Sequence, residues 1–116
     1  MIDYKLKEIE DGDQTLLFEL SGHLDADACD YLFSILEDRV HDGHARLVID
    51  CEGLEFISSV GLGMLIRIHS RLKKRGGDVR LSGVHGPVAD ALRLVALDKV
   101  LKIYPSAEAA VESLKA

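Results

Sequence analysis

At 116 residues the chain is long enough for one hydrophobic core and short for two, and a 47% hydrophobic share excludes intrinsic disorder. Twenty acidic residues against 14 basic ones leave a formal charge of −6. That charge repels a phosphate backbone and argues against nucleic acid as a partner, while simple solubility is its other use.

The opening Met1-Ile2-Asp3-Tyr4-Lys5 is charged and alternating, unlike a signal peptide. No apolar run approaches the roughly 20 residues that span a bilayer, so a cytoplasmic location without membrane insertion is expected. Tyr4 and Leu6 alternate with Lys5 and Lys7, as in a half-buried strand, and Asp11-Gly12-Asp13 is a hairpin signal. A second strand follows from Gln14 to Ser21, with Leu16, Phe18 and Leu20 on one face, and Ser21-Gly22 should end it. Asp25 or Asp27 can cap a helix to about Val40, with Ala28, Leu32, Ile35, Leu36 and Val40 along one side and Gly43 as its stop. Arg46–Cys51 is nearly all apolar and reads as a strand buried on both faces. Glu52–Ile57 then leads away from it. A second helix is predicted over about Ser59–Arg75, ended by Gly76-Gly77, and Asp78–Ser82 is a third short apolar strand. Gly86-Pro87 opens a third helix whose buried stripe should be Val88, Leu92 and Val95. Leu97-Asp98-Lys99 turns into a strand at Val100–Ile103, and Pro105-Ser106 caps a last helix carrying Ala110, Val111 and Leu114. Strands first, then alternating helix and strand, imply one α/β domain over 1–116, with a mixed sheet of four to five strands and four to five helices. Its strands at 46–51 and 78–82 should be parallel, joined through the second helix. Cys29 and Cys51 lack any zinc or redox spacing and read as reduced, buried apolar residues.

The most informative stretch is Phe56-Ile57-Ser58-Ser59-Val60-Gly61-Leu62-Gly63-Met64-Leu65. Either serine can cap the second helix by accepting from a free backbone N–H. At 100° per residue, Leu65, Ile68 and Leu72 gather on one side, with Leu62, Ile66 and Met64 flanking and Gly61 in the middle of the arc. A glycine there lets the helix approach the sheet closely. Ser59, Gly63 and Arg67, spaced i, i+4, i+8, make a stripe on the opposite face, with Val60 beside it. An exposed helical glycine costs about 1 kcal/mol relative to alanine. Gly63 is therefore either merely tolerated or part of a bare docking strip. A phosphate on Ser59 would add about −1.5 to −2 charges, which a helix N-terminus accommodates. The fold would survive while a partner on the strip is excluded.

These residues resemble a STAS domain, the family of sulfate transporters and anti-sigma factor antagonists, and most of all its free-standing antagonists. Gly22-His23-Leu24-Asp25 stands where the family usually has Gly-Glu-Leu-Asp, and Leu47-Val48-Ile49-Asp50 matches its apolar strand ending in Asp. Phe56–Gly63 matches its phosphorylation motif, with Ser58 where Asp is common; Leu81-Ser82-Gly83 and the tail also fit. The resemblance implies a non-enzymatic partner switch without a cofactor. The unphosphorylated chain would bind an anti-sigma factor with a GHKL-type serine-kinase fold and release the sigma factor. Phosphorylation of Ser59, or alternatively Ser58, would break that complex, and a PP2C-type phosphatase would reset it. The partner-facing set would be His23, Asp25, Ser58, Ser59, Val60, Gly63, Met64 and Arg67. His23 in place of Glu makes that loop open to pH sensitivity. A non-switching STAS scaffold subunit docked on an ATPase is the alternative within the family.

Other chemistries fit less well. Ser58 or Ser59 with His23 or His85 lacks the Gly-x-Ser-x-Gly elbow of a hydrolase, since position 57 is Ile. Gly61-Leu62-Gly63 lacks the third glycine of a dinucleotide motif, since position 66 is Ile. His41 and His44 are separated by the helix stop at Gly43 and read as solvated residues, so no metal site is assigned.

Overall fold

Alternation builds the first edge of the sheet. In the computed structural model, which describes residues 2–9 and 14–115, β1 spans Ile2–Glu8 and half-buries Ile2, Tyr4 and Leu6 between exposed neighbours. It pairs antiparallel with β2, Thr15–Leu24. The expected turn at Asp11-Gly12-Asp13 lies outside the described residues. As predicted, Leu16, Phe18 and Leu20 share the buried face of β2.

Ser21-Gly22 does not end β2, because a long neighbour is there to pair with it. β3 spans Arg46–Ile57, and its parallel ladder with β2 continues to Leu24↔Ile57. Glu52–Ile57, expected to leave the sheet, is therefore the second half of a strand. The ladder absorbs two register shifts, each leaving an extra residue on β3, between Glu19 and Ser21 and between Gly22 and His23. β4 (Asp78–Ser82) and β5 (Lys102–Tyr104) extend the parallel part, giving the order β1-β2-β3-β4-β5. β5 starts later than expected, because Leu97–Lys99 forms a 3₁₀ turn that Val100 closes in the open while Leu101 is buried.

Four α-helices follow the parallel strands. Asp25 is the cap of α1 (Ala26–His41), its Oδ1 accepting from the Ala28 N–H at 3.2 Å, while Asp27 lies in the first turn. α2 spans Ser59–Lys74, α3 Gly86–Leu94 and α4 Ala107–Leu114; Ser106 Oγ caps the last by accepting from the Ala109 N–H at 3.1 Å. α1 and α2 end alike. Gly43 and Gly76 take φ of +106° and +77°, and the next N–H reaches back to Arg39 O (3.1 Å) or Leu72 O (2.9 Å).

The helices divide unequally over the sheet. α1, α2 and α3 share one core with Phe18, Leu47, Ile49 and Leu81, whereas α4 alone packs the other face around Val48, Ala110 and Leu114. Phe33 and Cys29 join Leu32, Leu36 and Val40 as the buried side of α1, leaving Ala28 and Ile35 half-buried. Val95 is 53% exposed, contrary to the predicted stripe, because α3 ends at Leu94 and Val95 is only its cap. His44 is buried rather than solvated, its Nδ1 donating to Arg39 O at 3.2 Å. Both cysteines are free and buried; burial, aided by the Asp50 charge, pushes the Cys51 thiol up to about 12. No helix among the described residues is long and apolar enough to cross a membrane. Because β2 to β5 are parallel, all four helix N-termini gather at one end of the sheet, beyond the strands' C-terminal ends.

Candidate functional site

Ser58 and Ser59 sit at that end with different tasks. Ser58 is extended, donates its backbone N–H to Leu24 O at 2.9 Å, and accepts the Gly61 N–H on Oγ at 3.0 Å. It is the cap, and its hydroxyl is committed to the helix. Ser59 is the first helical residue and is exposed. The same backbone bond to Leu24 holds His23 and Asp25 beside the two serines, with His23 opposite Phe56 in the ladder.

The inner face of α2 is made by Gly61, Met64, Leu65, Ile68 and Leu72. A Cβ at Gly61 would come within 2.8 Å of Ile57 Cγ1 and 3.0 Å of Leu24 O, so this turn lies against the sheet where only glycine fits. Met64 is 2% exposed, which removes it from the expected partner-facing set. It follows Gly61 by three residues and precedes Ile68 by four, so it shares their buried ridge.

The outer face carries Ser59, Gly63 and Arg67. A Cβ at Gly63 would meet nothing within 4 Å, so the strip there is open. Val60 on one side and Ile66 on the other are each 49% exposed. Ile66 was expected beside the core, yet it lies seven residues after Ser59 and three after Gly63, a spacing that puts it at the rim of the outer strip. Phe56, 45% exposed on β3, is a second apolar residue not anticipated at this end. Arg67 is held in place, its guanidinium 3.9 Å from the ring centroid of Phe33 on α1.

The histidines have partners other than the serines. His23 stacks edge-on against Phe56 with centroids 5.9 Å apart, and its Nε2 is 3.8 Å from Glu55 Oε2. His85 Nε2 is 2.7 Å from Glu52 O, and since a carbonyl only accepts, that nitrogen is the donor. Ser58 Oγ faces the helix and His85 Nε2 faces a carbonyl, so neither is arranged as a nucleophile with its base. Among the described residues no three His, Cys, Asp or Glu side chains are grouped to hold a metal ion. The site is a surface: a hydroxyl at a helix tip, a bare strip below it, and exposed apolar side chains around it.

Known proteins share this fold. A model of the STAS domain family matches residues 5–110. The anti-sigma F factor antagonist of Paenibacillus polymyxa is 26% identical over 109 residues, covering 93% of each chain. The crystal structure of an anti-sigma factor antagonist from Mycobacterium paratuberculosis has a TM-score of 0.85 at 26% identity, over 98% of this chain and 94% of that one. The antagonist SpoIIAA in its unphosphorylated form has a TM-score of 0.85 over 96% of this chain and 95% of that one, and at 18% identity the likeness is one of fold. With the family model matching residues 5–110 and the fold superposing on a solved antagonist over nearly the whole chain, the chain belongs to the STAS domain family.

Proposed function

We propose that this chain is an anti-sigma factor antagonist acting as a single domain in the cytoplasm, switched by phosphorylation of Ser59. Unphosphorylated, it binds an anti-sigma factor of the GHKL serine-kinase type over the outer strip of α2, together with His23 and Asp25, and so frees a sigma factor. The kinase phosphorylates Ser59, and a PP2C-type phosphatase reverses the step. One observation carries this reading: Ser59 is exposed at the first position of α2, while Ser58 supplies the cap. Ser59 can then gain a phosphate without losing the helix's stabilising hydrogen bond. The unpaired N–H groups and dipole of the helix start favour the added charge, so the fold persists while the covered strip is lost. The similarity to antagonists at 26% identity supports the same assignment.

The test is incubation with the purified kinase and ATP, followed by mass-spectrometric mapping. Phosphate is expected on Ser59, and Ser59→Ala is expected to bind the kinase in ATP as tightly as the unmodified chain does without it. Phosphate on Ser58 alone would move the switch by one residue. An unmodified chain that binds an ATPase subunit instead would favour the scaffold role.

A further inference from the structure

The two edges of the sheet are finished differently. β5 is only Lys102–Tyr104, and Pro105, which has no N–H to donate, follows at once. β1 presents Ile2–Glu8 with no proline. Next in the regular β1–β2 register, the Ile9 N–H donates to the O of Thr15 opposite it at 2.8 Å. Hydrogen-bonded pairs alternate with non-bonded ones along an antiparallel ladder, so Lys7, Lys5 and Asp3 direct their backbone groups to β2. Ile2, Tyr4 and Leu6 turn theirs outward, to the free edge. Their side chains are half-buried against the core. Tyr31 of α1, 59% exposed, extends this apolar row, its ring 6.1 Å from that of Tyr4 and the two hydroxyls 3.2 Å apart. Asp3 and Lys5 alternate with these residues and are exposed.

We infer that the free edge of β1 pairs with β1 of a second copy of this chain, antiparallel about a two-fold axis at Tyr4. Charge and backbone direction select that register. Outward backbone groups must face outward ones, so Ile2, Tyr4 and Leu6 can oppose only one another or Glu8. Centred on Tyr4, Ile2 of each copy opposes Leu6 of the other, Tyr4 opposes Tyr4, and each pair exchanges both backbone bonds. On the other face, Asp3 of each copy opposes Lys5 of the other, a favourable cross-strand pair made twice. Every other antiparallel register over Ile2–Glu8 opposes like charges: Asp3 on Asp3, Lys5 on Lys5, Lys5 on Lys7, or Lys7 on Lys7. A strand that complements itself under a two-fold rotation, in both its apolar and its charged residues, fits a copy of itself. Lys7, held by Glu19 at 2.9 Å, lies beyond the paired stretch. The axis reverses strand direction, so the five-stranded sheet is doubled with α1 of both copies on one side. The two Ser59 tips then lie at opposite ends, and neither is covered.

Analytical ultracentrifugation of the full chain, from about 10 μM to about 1 mM, tests this. The 12.7 kDa chain is expected to approach twice that mass as its concentration rises. Asp3→Lys alone and Lys5→Asp alone each put like charges opposite one another at both symmetry-related pairs, and each should weaken the dimer at least about tenfold. Mixing the two variants restores opposite signs across the edge, so a mixed dimer should form about as tightly as the parent's. Circular dichroism checks that each variant is folded. Amide hydrogen exchange of the parent gives a readout that needs no variant. The Tyr4 and Leu6 amides should gain protection as concentration rises, while those of Asp3 and Lys5, already bonded to β2, should change little. A chain still monomeric at about 1 mM would overturn the inference and leave the edge to an extended segment of another protein. A dimer indifferent to both single variants, or one whose new protection falls on β5 or on the outer strip of α2, would overturn it as well. Each of these results concerns β1 alone, so the antagonist reading of Ser59 stands or falls separately.

Discussion

Two adjacent serines and two nearby glycines differ sharply in what they do for α2. Ser58→Ala removes the cap bond to the Gly61 N–H and is expected to cost about 1 kcal/mol in urea unfolding, whereas Ser59→Ala should stay within about 0.5 kcal/mol of the parent. Gly61→Ala forces a methyl against Ile57 and the Leu24 carbonyl and should lose roughly 1–3 kcal/mol. Gly63→Ala meets nothing and should gain up to about 1 kcal/mol, while weakening the proposed partner's hold on the strip. An opposite order for the two glycines would mean that the helix faces are reversed. The opposed faces of Gly61 and Gly63 were legible from 100° spacing alone. Which serine caps was not, because that depends on the backbone bond from Ser58 to Leu24, a residue 34 positions earlier in the chain.

At the level of elements, the start of β4 carries a polar cluster with no sequence signal of its own. Arg80 points its guanidinium along the strand to Asp78, with Nε donating to Ser113 Oγ on α4 at 3.1 Å, and its side chain is only 9% exposed. Lys73 at the end of α2 approaches the same carboxylate at 3.2 Å. Burial pushes the Asp78 carboxyl up, but Arg80, the Val79 N–H at 2.8 Å and Lys73 together outweigh it and hold the group below its ordinary value. A lowered carboxylate stabilises the fold above its unfolded value near 4, and that contribution is lost as pH falls through the lowered value. Asp78→Asn leaves Arg80 buried with a neutral neighbour and should cost about 2–3 kcal/mol at pH 7. The variant should also lose less stability than the parent on acidification below about pH 4, read by urea midpoints. An unchanged acid limb would show that the cluster contributes nothing to folding. Element length was the weaker part of the sequence reading: β2 and β3 each outrun their apparent stops because each completes the other's hydrogen bonds.

Across the whole molecule, burial keeps both thiols out of reach. Cys51 is pushed to about 12 by desolvation, and Cys29 is raised by burial and by the charges of Asp25 and Asp30. The native chain should therefore react negligibly with a thiol reagent at pH 8, and both sulfurs should react once urea unfolds it. Rapid native labelling at Cys51 would contradict its place in the core. The mixed α/β order, the helix stops at Gly43 and Gly76, and the Ser59–Gly63–Arg67 stripe could be read from the chain because each rests on neighbours within a few residues: a period, a cap or a turn. Other outcomes needed distant partners. β2 extends to Leu24 against β3, Met64 turns into the core and Ile66 out of it, and Phe33 takes its place under Arg67, since burial is settled by which surface another element covers and pairing by which backbone groups another strand leaves open.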